Sequence, residues 1–356
     1  MMTGMSHATN SSRAVGLWLL VVAGMIAAMV LVGGLTRLTG SGLSITQWQP
    51  ISGAIPPLSH AAWVAEFDHY KLIPQYRDEN LGMTLDQFKG IFWWEWSHRL
   101  LGRLIGFVFL VPFLWFAWRG AIPRSDYKKM FGLFVLGGFQ GLVGWWMVKS
   151  GLEVRDSVSQ YRLAIHLGVA LVLFAAILWT ALEYLRPKRA RAAPVPQATW
   201  AKLFAGGVYL QMLLGALVAG LHAGLVYNTW PSMNGTFGPD NPFFYHPWWI
   251  NFFDNDGLVQ FDHRIGAYLV ACGALVLFFA ARKLNGAQKI SAHVVLGVTL
   301  LQITLGILTL LNQVPIPLAA LHQITAVALF TAALWHAYEG AGAPARVIQS
   351  AAALRA

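Results

Sequence analysis

The sequence predicts an all-α polytopic membrane protein whose chain crosses the bilayer eight times. Hydrophobic residues make up 56% of the 356 positions and charged residues only 11%, whereas soluble domains usually carry about 25% charged residues. Eight apolar stretches reach the length of about 20 residues that a spanning helix needs. This composition excludes a soluble enzyme. The net charge of +10 is attributed to cytoplasmic Lys and Arg, and no nucleic-acid partner is expected.

The spans are predicted in chain order from hydropathy and length. They lie near residues 14–35, 91–118, 130–148, 161–184, 201–222, 259–281, 290–311 and 316–338. The first span follows a polar tail ending at Arg13 and then runs for 23 residues without a charge. Because that is long for a signal peptide, a retained helix is expected.

The connecting segments predict that both termini are cytoplasmic. With the N-terminus inside, the inner segments hold fifteen Lys and Arg residues and the outer segments seven, as the positive-inside rule requires. Two outer loops, 36–90 and 223–258, are long and rich in Trp, Pro, Gly and Asn. Within the first loop, HAAWVAEFDHYKLIPQYRDEN predicts a short amphipathic helix at the membrane interface.

An internal repeat predicts two halves, residues 1–185 and 201–356, joined by a basic cytoplasmic linker at 186–200. WSHRLLGR in the second span matches FDHRIGAY in the sixth, and YRLAIHL in the fourth resembles PLAALHQ in the eighth. FQGLVGWWM in the third resembles LQITLGILT in the seventh, each with a Gln and a Gly four residues on. The loops after the first and fifth spans also correspond. The common order predicts two four-helix bundles related by a pseudo-twofold axis along the membrane normal.

Four of the eleven histidines occupy equivalent places: His98, His166, His263 and His322. Each is expected six to eight residues into an even-numbered span, about 10 Å below the outer surface. One histidine in a membrane helix is often only an interhelical hydrogen-bond partner, but four at one depth favour a binding site. Because two helices of a bundle can each offer a histidine to haem iron, pairing within each half predicts two haem sites.

Small and charged residues beside the histidines fit such sites. Gly102 and Gly266 fall on the histidine face of their helices, where they would admit a flat macrocycle or allow ordinary close packing. Arg99, Arg103 and Arg264 lie near outer helix ends. They would pair with haem propionates or extend to the interface.

One position distinguishes the two halves. Glu95 precedes His98 by three residues, whereas Gln260 precedes His263 by three. A carboxylate at that depth is costly unless it is paired or functional, and an ion pair with Arg99 is the alternative explanation. The asymmetry predicts that the N-terminal half performs chemistry and the C-terminal half holds a permanent cofactor.

Several long motifs together resemble the haem A synthase family, including its mitochondrial relatives. They are GGLTRLTGSGLSITQWQPISGAIPPL, GIFWWEWSHRLLGR, YRLAIHL, GLHAGLVYNTWPSMNG and FDHRIGAY, and the similarity runs from about residue 15 to 338. The resemblance implies oxidation of the C8 methyl group of haem O to a formyl group, which gives haem A for cytochrome c oxidase. It further implies a haem b cofactor ligated by His263 and His322, with Arg264 nearby. The substrate haem would sit between His98 and His166 beside a catalytic Glu95, with Arg99 and Arg103 at its propionates.

The resemblance also implies a location and partners. Some bacterial members carry a cysteine pair in the first outer loop, but the single cysteine here, Cys272, lies in the sixth span. The chain is therefore closer to the mitochondrial and proteobacterial branch. Its short N-terminal tail favours a bacterial inner membrane. Expected partners are haem O synthase, oxidase assembly factors and an unidentified electron-transfer partner, and a homo-oligomer is left open.

Two other functions are open at this stage. A dihaem electron carrier of the cytochrome b561 kind would explain histidines paired across helices, although it gives no reason for Glu95 in one half alone. A transporter would explain duplicated spans, but its site is expected near the bilayer midplane, whereas the polar residues here cluster near the outer face.

Overall fold

The computed structural model describes residues 2–153, 155–186 and 198–341, and this part of the chain folds into helices without a β-strand. The α-helices are α1 (Met2–Leu38), α2 (His60–Tyr70), α3 (Pro74–Asp78), α4 (Leu85–Trp118), α5 (Tyr127–Lys149), α6 (Gln160–Leu185), α7 (Ala198–Gly220), α8 (Asn251–Asp254), α9 (Asp256–Ala280), α10 (Gly286–Leu311) and α11 (Ile316–Gly340). Among the described residues, eight helices are long and apolar enough to span a membrane: α1, α4, α5, α6, α7, α9, α10 and α11. The predicted eight-span membrane fold is confirmed.

The start of α4 differs from the prediction. Thr84 caps this helix by accepting a hydrogen bond from the backbone N–H of Gln87, and the Gln87 side chain bonds back to the Thr84 N–H. Because this capping box lies outside the apolar stretch, α4 begins at Leu85 rather than at residue 91. His98 is therefore 13 residues beyond the start of its helix, and the expected position six to eight residues in is wrong for it.

The first outer loop packs on the outer end of α4. The segment predicted as one amphipathic helix is helical, but it is divided into α2 and α3 at Pro74, which starts α3. Phe67 and Tyr70 of α2 contact Phe88 with ring centroids 5.0 and 5.4 Å away. This buried aromatic cluster fixes the loop above the bundle, while its position at a membrane interface stays a prediction.

The spanning helices form two rings with the same order of neighbours. In the N-terminal half α1 contacts α4, α4 contacts α5, α5 contacts α6, and α6 returns to α1. In the C-terminal half α7, α9, α10 and α11 follow the same cycle. The shared contact order agrees with a duplication, while the pseudo-twofold axis and the cytoplasmic position of the termini stay predictions.

The two rings share one apolar core. Helices α6 and α11 carry Phe174 and Phe330, whose ring centroids are 6.2 Å apart, and the Gln323 amide of α11 donates to the Val30 carbonyl of α1 at 2.6 Å. One buried hydrophobic cluster contains residues of both halves. The predicted division at residues 185 and 201 stays a prediction, and most of the linker, 187–197, lies outside the described residues, as does 342–356.

Candidate functional site

Each of the four equivalent histidines packs against a glycine of the preceding spanning helix. The pairs are His98 with Gly33, His166 with Gly144, His263 with Gly215, and His322 with Gly306, and a Cβ added at these glycines would lie 2.7, 2.9, 3.2 and 2.9 Å from Cε1 of the ring. All four glycines stand five residues before the last residue of their helix. The four imidazoles therefore lie at the same distance from the ends of the helices they pack against.

Three of these histidines also contact a glutamine one helical turn before the glycine. Nε2 of Gln140 and of Gln211 lies 3.0 Å from Nδ1 of His166 and of His263, and also donates to the histidine carbonyl. Nε2 of Gln302 lies 3.2 Å from Nδ1 of His322. Since a glycine at i+4 gives the ring room and the glutamine reaches its nitrogen, Gln-x-x-x-Gly is a histidine-holding element.

His98 lacks that partner. Its Nδ1 is buried and has no hydrogen-bond partner among the described residues. The residue one turn before Gly33 is Met29, whose thioether is only a weak acceptor. The first half therefore holds its two histidines differently.

The spacing of the C-terminal pair fits two axial ligands of one iron. The ring centroids of His263 and His322 are 6.4 Å apart. Metal–imidazole bonds of about 2 Å on opposite sides of a metal place two ring centres about 6.3 Å apart. In the N-terminal half, His98 and His166 each lie against a glycine of the preceding span at the same level of their helices. The residues present therefore fit haem ligation.

In each half, the arginine that follows the first histidine donates hydrogen bonds to backbone carbonyls of the outer loop. Arg99 donates to the carbonyls of Ile45 and Gln47 at 2.6 and 3.0 Å. Arg264 donates to the carbonyls of Tyr227 and Thr229 at 2.9 and 3.0 Å. LSITQW and LVYNTW align residue for residue at these positions, so the repeat includes the path of the loops.

Glu95 is buried, with 3% of its surface exposed, and its carboxylate accepts four hydrogen bonds. Oε2 accepts from the Ser44 hydroxyl at 2.8 Å and from the Ile45 N–H at 2.7 Å. Oε1 accepts from Nε and Nη2 of Arg99 at 3.1 and 2.5 Å. The ion pair considered from the sequence is therefore present, and the carboxylate has no free acceptor position of the usual four.

Gln260 takes the place of Glu95 in the second half. It is equally buried, and its Oε1 accepts from Arg264 Nη2 at 2.9 Å. Its Nε2 donates to the Ala223 carbonyl at 2.7 Å, where Glu95 instead accepts from a backbone N–H. Glu95 and Gln260 are thus each bound to the arginine four residues later, and they differ in one buried negative charge.

The three arginines predicted to bind propionates are not equivalent. All three side-chain nitrogens of Arg99 have partners. Arg103 donates to the carbonyls of Pro50 and Gln49, but its buried Nη1 has no partner among the described residues, and neither has Nε of Arg264. Buried donors without acceptors are costly, so these two atoms suit an anionic ligand group. Propionate binding stays a prediction for all three.

The residues that contact Gly102 and Gly266 show more closely what these two glycines make room for. A Cβ at Gly266 would collide with the Gln211 side chain, and one at Gly102 would lie 3.3 Å from Cε of Met29. These glycines therefore make room for the residue one turn before the histidine-packing glycine. The glycines that touch the histidines were not singled out from the sequence, although the Gln-x-x-x-Gly spacing in the third and seventh spans was visible.

Three of the seven other histidines are described in the spans or close to their ends. Nδ1 of His336 lies 2.8 Å from the Ser291 hydroxyl, and Nδ1 of His293 lies 2.8 Å from the Lys289 carbonyl. His222 lies two residues beyond the end of α7 and has a left-handed backbone with φ 54°. Burial, and next the positive charge of Arg37, lower the pKa of His222. None of these three belongs to the four-histidine level.

Comparison with known proteins shows the family to which this chain belongs. Residues 16–334 match the family model COX15-CtaA, described as cytochrome oxidase assembly protein. The chain is 53% identical over 333 residues to "Heme A synthase" of Bradyrhizobium sp. strain BTAi1, covering 92% of each chain. It is 52% identical over 321 residues to the protein of that name from Rhodopseudomonas palustris strain CGA009, covering 90% of this chain and 87% of the relative. It is 50% identical over 326 residues to that of Parvibaculum lavamentivorans, covering 92% and 94%.

Proposed function

Because this chain belongs to the COX15-CtaA family of cytochrome oxidase assembly proteins, we propose that it is a haem A synthase that oxidises the C8 methyl group of haem O to a formyl group. The observation that carries the proposal is the buried charge of Glu95, because the equivalent position in the second half is the equally buried but neutral Gln260. One site with the charge and one without it suit a substrate site beside a resident cofactor.

The C-terminal half is proposed to hold haem b between His263 and His322. Their 6.4 Å ring separation and the Gln211 and Gln302 contacts support a fixed pair of ligands. Nε of Arg264 is available to a propionate. When bound, haem b supplies a one-electron redox centre.

The N-terminal half is proposed to bind haem O between His98 and His166, with Arg103 Nη1 available to a propionate. The first outer loop covers this site because Arg99 and Arg103 hold its carbonyls from residue 45 to residue 50. Conversion of a methyl to a formyl group, by successive hydroxylations and loss of water, consumes one water and releases four protons and four electrons. An electron acceptor outside the chain is therefore required.

Glu95 is proposed to act as a fixed negative charge. Its two oxygens already accept four hydrogen bonds, so accepting a proton or a water would require breaking one of them. A preorganised carboxylate stabilises positive charge that develops during oxidation of the methyl carbon. Of the two roles open for this residue, stabilising a cationic intermediate is favoured over positioning the attacking water.

Two substitutions test the division between the halves. Glu95→Ala should keep haem b and abolish haem A when the protein is expressed with a source of haem O, because the charge is lost and the C-terminal ligands are untouched. His263→Ala should lose the resident haem b. Pigment extraction and the pyridine-haemochrome spectrum of purified protein measure both. Loss of haem b in the first variant with retention in the second would contradict the assignment.

The dihaem carrier and transporter alternatives are not favoured, since the curated relatives carry a synthase name. If only haem B is recovered beside a haem O source, the synthase proposal fails and the carrier regains support.

We further propose a bacterial inner-membrane location with both termini cytoplasmic, and haem O synthase and oxidase assembly factors as partners. The positive-inside bias and the alphaproteobacterial relatives support it. A fluorescent protein fused to the C-terminus should be fluorescent, and alkaline phosphatase fused there should be inactive. The reverse pattern would refute the orientation.

A further inference from the structure

The three glutamines beside His166, His263 and His322 have one unpaired atom in common. Oε1 of Gln140, Gln211 and Gln302 is buried and without a hydrogen-bond partner among the described residues. The amide Nε2 of Gln140 and of Gln211 faces Nδ1 of the histidine, and that of Gln302 lies 3.2 Å from Nδ1 and 3.3 Å from Nε2 of His322. Rotation of the amide about its last side-chain torsion exchanges the two atoms and would bring a hydrogen-bond acceptor to each imidazole, with loss of the bond that Nε2 of Gln140 and of Gln211 donates to the histidine carbonyl.

An imidazole that ligates a metal through Nε2 carries its proton on Nδ1, and that N–H needs an acceptor. The acceptor fixes the ring and its tautomer and raises its basicity, and its loss typically costs about 10- to 100-fold in metal affinity. The unpaired glutamine oxygens can supply this acceptor at three of the four ligands. At those positions the ligand is oriented before haem arrives.

Met29 occupies the corresponding place at His98. Two independent observations establish the correspondence. Met29 precedes the histidine-packing Gly33 by four residues, as Gln211 precedes Gly215. The room left by Gly102 is filled by Met29, as the room left by Gly266 is filled by Gln211. A thioether is a weak acceptor, and Nδ1 of His98 is unpaired.

Resting on the proposed function, we propose that His98 is the exchangeable axial ligand of the substrate haem, and that Met29 makes it so by standing where the other three histidines have a glutamine. A substrate site must release its product after every turnover, whereas a cofactor site must not. The same helix arrangement meets both needs because His98, unlike the other three histidines, has no glutamine beside it. His166, which contacts Gln140, would be the residue that holds and orients the haem in this half.

The test measures haem release rather than turnover. The full chain, purified in detergent, is filled with ferric haem B, and transfer to excess apomyoglobin is followed by the Soret absorbance. Wild type should release haem in a fast and a slow phase, and His98→Ala should remove the phase that belongs to the N-terminal site. Met29→Gln should slow that phase about 10- to 100-fold, while Met29→Leu, which keeps the volume and adds no acceptor, should leave it unchanged. Gln211→Met should accelerate the slow phase.

The outcomes separate the two proposals. If His98→Ala changes neither phase, His98 does not hold haem and the proposed substrate site is wrong. If His98→Ala removes the fast phase but Met29→Gln releases haem at the wild-type rate, the site stands and the role of Met29 is refuted. If Met29→Gln does not fold, Gln211→Met decides, because an unchanged slow phase would show that the glutamines do not govern ligand strength.

Discussion

The contact between Gly306 and His322 gives the sharpest test of how the C-terminal site is built. In Gly306→Ala the new Cβ would lie 2.9 Å from Cε1 of His322, whereas ordinary van der Waals contact begins at 3.4 Å. The ring must therefore retreat by about 0.5 Å, which exceeds the tolerance of about 0.2 Å in metal–ligand distances. Because a displaced His322 ring would bind iron more weakly, we expect haem b affinity to fall by about 10- to 100-fold.

Gly297→Ala is the matched control because it lies on the same helix and its added Cβ meets nothing within 4 Å. Both substitutions replace a helical glycine by alanine and gain the same helix propensity, about 1 kcal/mol, so their difference isolates the histidine contact. Both proteins are purified and their haem b per polypeptide is measured by pyridine haemochrome, together with thermal unfolding. Haem content equal in the two variants would refute the packing role of Gly306.

Two further predictions concern stability. Arg99→Ala should lower the free energy of unfolding by about 3–5 kcal/mol because it strips the buried Glu95 of its ion-pair partner, whereas Arg264→Ala, beside the neutral Gln260, should cost about 1–3 kcal/mol; equal losses in thermal unfolding would contradict the role of the charge. The fold lowers the pKa of His222 from its usual 6.5. The free energy of unfolding that the neutral imidazole contributes is therefore present above pH 6.5 and is lost as the pH falls below it. His222→Asn, which tolerates the left-handed backbone, should therefore weaken the decline of the melting temperature between about pH 7 and about pH 5, and an unchanged decline would exclude this residue as a source.

The sequence predicted the spans well because hydropathy and helix length are local properties. It missed the start of α4 because the capping box at Thr84 and Gln87 lies beyond the apolar stretch. The α7 end at Gly220 instead of residue 222 has a similar local cause, the left-handed backbone of His222. Such errors arise where capping bonds or backbone conformation, rather than hydropathy, determine where a helix begins or ends.

The sequence singled out residues for the site, whose roles stay predictions, but it did not show their contacts. The repeat identified the four histidines and the asymmetry of Glu95, because equivalent residues recur in equivalent spans. It did not show which helix each ring faces, so Gly33 and Gly215 were not singled out. The carbonyl partners of Arg99 could not be foreseen either, because they lie in an outer loop more than fifty residues earlier.

The common position of the four histidine-packing glycines has a consequence for the direction of charge movement. Each stands five residues from its helix end, or about 7.5 Å of helix, so two haems bound there would sit at equal height on one side of the bilayer. An electron that passes from one to the other travels parallel to the membrane plane. Moving a charge across the membrane costs or gains about 2.3 kcal/mol per 100 mV, but this lateral step crosses none of the potential. The rate of electron transfer between the two halves should therefore be the same with and without a membrane potential.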